Sequence, residues 1–325
     1  MKLLIKGMLC ASLVVSGVMA QETVKSAANA PTVIKSTTAD IEIITSENAD
    51  GKITPASIEQ AFKDAGFVIS ANRDMNGPFV KQFKESGFDI YNLFTLYKPD
   101  TVLELVKKYP NVGLFAPMSM SIYTKKGEKT ISVSSLTAEA MAKIMEAPSD
   151  DKSLHDLRAL VKQTLKKAMP NGSFETVPYE QTEAKGELVT RFSMEMDPDE
   201  WEDQLDEFKM GFEGELAPNG FVIAGHYNLG DDFEESNYEA FDFYEVYSVC
   251  KLPVIYTIAK TRPEAGAYAP CSLYFSKKKD EEMMHIGFPS VYNWMSSMAI
   301  EGKEEFEVLE NAQAGMKKIL GGLTE

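Results

Sequence analysis

Residues able to do chemistry are scarce in this chain. Three histidines and three cysteines are spread over 325 residues, and there are two tryptophans. No Gly-x-Ser-x-Gly elbow, phosphate-binding glycine loop or His-Glu-x-x-His pair occurs, which removes the usual serine-hydrolase, nucleotide and zinc-protease signatures. There is no Cys-x-x-Cys, so thioredoxin-type, c-type haem and structural zinc patterns are missing as well. Positive charge is in deficit: 33 Lys+Arg stand against 49 Asp+Glu, a net of −16. Nucleic-acid binding and attachment to an anionic membrane surface both need clustered cations, and the balance argues against each. Beyond the N-terminus no stretch approaches the roughly 20 apolar residues of a transmembrane helix. What is present is an ordinary globular composition, 44% hydrophobic and 25% charged, in a chain long enough for more than one domain.

The first twenty residues read as an address. Lys2 and Lys6 form a positive start, Met8 to Val15 a short apolar core, and Val18-Met19-Ala20 a small-residue site before Gln21. This is the layout of a secretory signal peptide. The expectation is a signal over 1–20, a flexible Ala/Ser/Thr/Pro leader over 21–38, and a periplasmic or secreted protein. Removing residues 1–20 takes Lys2, Lys6 and Cys10 but no acidic residue, so the remainder is more acidic still and keeps an even pair of cysteines.

The chain repeats itself. Gly66-Phe67-Val68-Ile69 returns as Gly220-Phe221-Val222-Ile223, and Asp89 to Ser119 aligns without gaps to Asp242 to Ser272. Identical pairs in that block are Asp89/Asp242, Tyr91/Tyr244, Lys98/Lys251, Lys107/Lys260, Pro110/Pro263, Gly113/Gly266, Ala116/Ala269, Pro117/Pro270 and Ser119/Ser272. Both copies read alike: an opening strand, a helix entered through Thr54-Pro55 or Asp197-Pro198, a strand from Phe67 or Phe221, an aromatic core strand (Tyr91 to Tyr97, Tyr244 to Cys250), a helix stopped by Pro110 or Pro263, then a Gly-x-x-Ala-Pro turn into a hairpin. The fold class is therefore α+β, two similar tandem α/β-sandwich domains. The expected boundaries are 39–150 and 187–303, with a linker helix and connection over 151–186 and a closing helix over 304–325. Together they would form a pseudo-dimer within one chain, with a monomer favoured.

Tyr91-Asn92-Leu93-Phe94 to Lys98-Pro99, then Leu105, Pro110, Gly113-Leu114, Pro117 and Ser121-Ile122-Tyr123, resemble the domain of unknown function 302. The second copy, from Val246 through Pro270-Cys271 to Phe275, resembles it too. The resemblance implies a compact α+β fold that packs in pairs; it implies no activity.

Cys250 and Cys271 stand where the first copy has Tyr97 and Met118. Both positions change together, which points to neighbours in space. A structural disulfide, two inert buried thiols, and a redox or soft-metal (copper) site are the alternatives. Met118, Met120, Met283 and Met284 could add thioethers to the last, although methionine in a strand is ordinarily core filler. His155 falls on the linker helix, while His226, opposite Asn72 of the first copy, and His285 fall on strands. Asp89 and Asp242 fit turns, and Lys98 and Lys251 fit exposed strand ends. Ser46, Asn48, Asp50, Gly51, Ile53 and Thr54 imitate a calcium loop, but position twelve is Ser57 rather than Glu, so a turn into a capped helix is the reading. A catalytic residue is not assigned. The expected function is a non-enzymatic small-ligand binding or accessory protein, its partner a small molecule or periplasmic protein and its cofactor unknown. Its pocket would be formed by Tyr91, Phe94, Tyr97, Pro117, Met118, Tyr244, Tyr247, Pro270, His226 and His285, in a groove between the copies. A thiol redox or copper-handling protein using Cys250 and Cys271 is the alternative.

Overall fold

A computed structural model describes residues 39–325; the signal and leader readings of 1–38 lie outside the described residues. The first half runs β1 (Ile41–Glu47), α1 (Pro55–Asp64), β2 (Val68–Asp74), α2 (Asn76–Phe83), β3 (Phe88–Tyr97), α3 (Pro99–Lys108), β4 (Met118–Lys125), β5 (Thr130–Leu136), α4 (Ala138–Met145), α5 (Lys152–Ala168) and β6 (Ser173–Thr176). The second runs β7 (Val189–Glu195), α6 (Trp201–Leu216), β8 (Val222–Asn228), α7 (Leu229–Glu235), β9 (Phe241–Cys250), α8 (Leu252–Ala259), β10 (Cys271–Lys278), β11 (Met283–Pro289), α9 (Tyr292–Ser297) and α10 (Lys303–Thr324). Short 3-10 segments, Val112–Leu114 and Pro263–Tyr268, precede β4 and β10.

Local sequence explains most element ends. Thr54 and Ser57 form a reciprocal cap on α1, with Pro55 in its first turn. Asn48 brackets Ile53, accepting its N–H at 2.9 Å and donating to its carbonyl at 2.7 Å, so the calcium-like segment is a closed turn. Asp197-Pro198 does not start α6. Its carboxylate accepts the Asp199 N–H at 2.8 Å, making a turn, and the helix begins at Trp201.

The two antiparallel sheets repeat one topology. The first has the order β2-β3-β4-β5-β1-β6, the second β8-β9-β10-β11-β7 read from the same edge. Period-two alternation gives each sheet two buried faces. The outer face of the first takes α1 and α5, where Phe62 meets Phe94 edge-on at 5.6 Å. The outer face of the second takes α6, where Phe212 meets Tyr247 and Phe275 at 5.3 and 5.2 Å. Between the copies, α5 buries Leu154, Leu157, Val161 and Leu165 and ties Arg158 to Glu42 of β1.

The inner faces meet each other through reciprocal bonds, as across a twofold axis. The Tyr91 hydroxyl donates to the Pro263 carbonyl at 3.0 Å, and Tyr244 donates to Pro110 at 2.8 Å. Ser119 Oγ donates to the Pro270 carbonyl, and Ser272 Oγ to that of Pro117, both at 3.1 Å. Gly113 and Gly266 let each 3-10 segment lie on the other copy's sheet: a Cβ at Gly113 would sit 2.5 Å from Tyr274 Cβ, and one at Gly266 2.4 Å from Ser121 Cβ. Five of the pairs shared by the two copies, Tyr91/Tyr244, Pro110/Pro263, Gly113/Gly266, Pro117/Pro270 and Ser119/Ser272, are therefore seam residues.

Candidate functional site

The seam is tight at its centre and opens at one side. There β2 and α2 of the first copy face β8 and the start of α8 of the second across a cavity of about 680 Å³. Inner-face positions of the sheets, Leu93, Thr95 and Cys250, line it with Pro270. Ala71, Met75 and Pro78 come from one side and Val222, Ile223 and Leu252 from the other. Val222 and Ile223 are 55% and 38% exposed, an adjacent apolar pair left open to the cavity. Both edge strands carry a register irregularity here, between Ile69 and Ala71 and between Ile223 and Gly225. Such bulges re-aim side chains at a sheet edge.

Three charged side chains border this space: Arg73, Asp74 and Lys251. Both Asp74 oxygens accept backbone N–H bonds at the start of α2, from Asn76 at 3.1 Å and Gly77 at 3.3 Å. Lys251 holds its ammonium 4.8 Å from the centre of the Phe221 ring. Among the described residues neither Arg73 nor Lys251 is in an ion pair. Thr95 is 1% exposed and its hydroxyl has no well-formed hydrogen bond, although Tyr227 and Ser70 lie close by with hydroxyls in the same condition. A buried hydroxyl without a partner costs free energy unless something else satisfies it.

In the equivalent cleft on the other side of the seam, larger side chains stand in place of Cys250 and Arg73. Where the open cleft has Cys250, its counterpart is Tyr97, whose hydroxyl donates to Asp232 at 2.6 Å across the seam. Where the open cleft has Arg73, the counterpart is Tyr227, on the ladder opposite Val246 as Arg73 is opposite Leu93. Lys98, equivalent to Lys251, is paired with Asp100 at 3.2 Å, and Pro253 takes the place of that aspartate in the second copy.

The family model for the domain of unknown function DUF302 matches residues 43–171 and again 200–322. The chain belongs to the DUF302 family. Its match is double, and the two matched stretches are the two copies of the fold. A crystal structure of an uncharacterized conserved DUF302 protein from Bacillus stearothermophilus is similar at 15% identity, covering 43% of this chain and 97% of that one with a TM-score of 0.33. No curated protein matches the chain.

The sequence candidates are scattered over this DUF302 pair. Tyr91 and Tyr244 are fully buried in the seam as mutual anchors, and Phe94 belongs to the outer core. Tyr247 is on the outer face too, donating to Glu213 at 2.7 Å and stacking on His226 with centroids 4.3 Å apart. His226 pairs with Glu245, and His285 with Glu281 at 3.0 Å. Pro117 and Met118 line a smaller seam cavity with Cys271. Only Pro270 and Cys250 reach the open cleft. Both cysteines carry free thiols, so the expected bridge is not formed. Cys271 lies opposite Val249, the residue before Cys250, and both cysteines line one small apolar cavity with Val254, Ile255 and Met316. Burial pushes both thiols up to about 12, with Cys271 adding repulsion at Cys250, so both are protonated at neutral pH. Arg73, Leu93, Thr95, Val222 and Ile223 were not among the sequence candidates.

Proposed function

We propose that this tandem DUF302 protein is a non-enzymatic binding protein, exported to the periplasm or beyond, that holds a small ligand in the open cleft between its copies. The observation that carries this is the asymmetry: one of two equivalent clefts holds Tyr97 and Tyr227, while the other has Cys250 and Arg73 and stays open. Its volume falls in the range of roughly 300–1,000 Å³ typical of small-molecule sites. The mix of apolar walls with few polar groups also fits binding better than catalysis. The thiol alternative receives less support, because both thiols are buried and held protonated, and among the described residues no group of three or more metal-ligating side chains forms around them.

The test uses N-phenyl-1-naphthylamine, a neutral fluorophore that brightens in apolar sites. Saturable binding of one molecule per chain is expected, lost in Cys250→Tyr and in Ile223→Arg, with folding of each variant checked by circular dichroism. Undiminished binding in both folded variants would refute the cleft as the site. Cys250→Ser/Cys271→Ser should keep the fluorophore, whereas a thiol or copper site would make that variant the inactive one. Export predicts that the secreted chain begins at Gln21, which N-terminal sequencing reads directly.

A further inference from the structure

We infer that the ligand of the open cleft is a small amphiphile with a single acidic group; this rests on the cleft being the ligand site. The protein carries a net charge of −16, yet this cleft is bordered by two cations, Arg73 and Lys251, that have no carboxylate partner among the described residues. Its one acid, Asp74, already gives both oxygens to backbone N–H groups. Lys251 also stands at the N-cap of α8 without a side-chain cap bond, so the positive end of that helix opens towards the same space. The tyrosine cleft shows the contrast. There Tyr227 replaces the arginine and Asp100 neutralises the lysine.

The remaining surface sets the rest of the ligand. Leu93, Val222, Ile223 and Leu252 ask for an apolar body, and the Thr95 hydroxyl, without a well-formed hydrogen bond, offers one polar contact at depth. A cationic amphiphile would meet Arg73 and Lys251. A polyanion would find two cations and a carboxylate, too little positive charge to hold it. An aliphatic or aromatic monoacid satisfies both ends of the site.

The experiment compares N-phenyl-1-naphthylamine with 8-anilinonaphthalene-1-sulfonate, the same ring system with one sulfonate added. The full chain should bind the sulfonate about tenfold more tightly, the scale of one good charge-assisted contact. Lys251→Met and Arg73→Met should each weaken sulfonate binding and together abolish its advantage over the neutral probe. Lys251→Arg should restore it. Decanoate should displace the sulfonate probe, and decyltrimethylammonium should not. Equal affinity for the two fluorophores, or an advantage that survives the double variant, overturns the acidic-ligand inference but leaves the cleft intact as a site. Failure of the wild-type chain to bind either fluorophore, or binding that persists in folded Cys250→Tyr, overturns the cleft reading itself.

Discussion

The two copies agree at the centre of the seam and differ at the clefts beside it and on their outer faces. Tyr91 and Tyr244, Pro110 and Pro263, Gly113 and Gly266, and Ser119 and Ser272 are identical because each must meet the partner copy in the same way. Away from the seam the constraint lapses. On the outer faces, Asn92 donates to Asn72 at 2.9 Å in the first copy, while the second places His226, Glu245 and Lys209 at that spot as a charged cluster. One cleft holds Tyr97 and Tyr227, a tyrosine from each copy, and the other holds Cys250 and Arg73 in their places. The difference between the two clefts is therefore found among the mismatches, although Val222, Ile223, Lys251 and Pro270 of the open cleft are identical in both copies.

The comparison breaks most severely at the seam glycines. Gly113→Ala and Gly266→Ala force a Cβ into side chains only about 2.5 Å away, and neither 3-10 segment can retreat without losing the tyrosine bonds beside it. Each should cost about 1–3 kcal/mol in urea unfolding, the usual scale of overpacking. Because the contacts are reciprocal, the two losses should be similar. A large loss at one and none at the other would mean that the seam is not symmetric.

The next test converts the tyrosine cleft into an open one. Tyr97→Cys together with Tyr227→Arg gives that cleft the side chains of its mate, at the cost of the Tyr97–Asp232 bond. Titration with N-phenyl-1-naphthylamine should then reach two molecules per chain instead of one. A stoichiometry that stays at one in a folded variant would show that these two tyrosines do not set the asymmetry.

A smaller effect separates the outer faces by pH. Burial works to raise the Glu245 carboxyl, but its bonds to His226 and Lys209 outweigh this and hold it below its ordinary value of 4.5. A lowered carboxyl stabilises the fold above that ordinary value, and the contribution disappears as pH falls through the lower folded value. Glu245→Gln should therefore flatten the fall of the melting temperature between pH 5 and pH 3, where Asn92→Ala lowers stability without changing its pH slope. An unchanged acid limb in Glu245→Gln would contradict the assignment.

Much of the architecture was legible because it is local or repeated. The aromatic strands announce themselves by β-forming residues, the capped start of α1 by Thr54-Pro55, and the pairing of copies by coincident Gly and Pro. The short helix α2 escaped. It spans eight residues, carries Gly77-Pro78, and owes its form to packing, as when its Phe83 stacks on Tyr256 of α8 at 3.8 Å. The site escaped for a different reason. Its walls come from edge strands of different copies, and nothing in Val222-Ile223 or Arg73 alone says which surface they will face. The signal that did exist was Cys250 standing for Tyr97. Read beside Cys271 it suggested a bridge, whereas its consequence is the volume it leaves empty.

The smallest expected effect distinguishes two hydroxyls that the repeat makes equivalent. Thr95 and Ser248 occupy matching inner-face positions, each 1% exposed and each without a well-formed hydrogen bond. Replacing such a group by an apolar one removes an unmet desolvation cost, so Thr95→Val and Ser248→Ala should each leave stability unchanged or raise it by up to about 1 kcal/mol. Only Thr95 borders the open cleft. Thr95→Val should therefore also weaken a ligand that carries a polar atom at depth, while Ser248→Ala leaves binding alone. Equal binding in both variants would mean that Thr95 serves the seam, as Ser248 does, and that the ligand is held by its acidic group and apolar body alone.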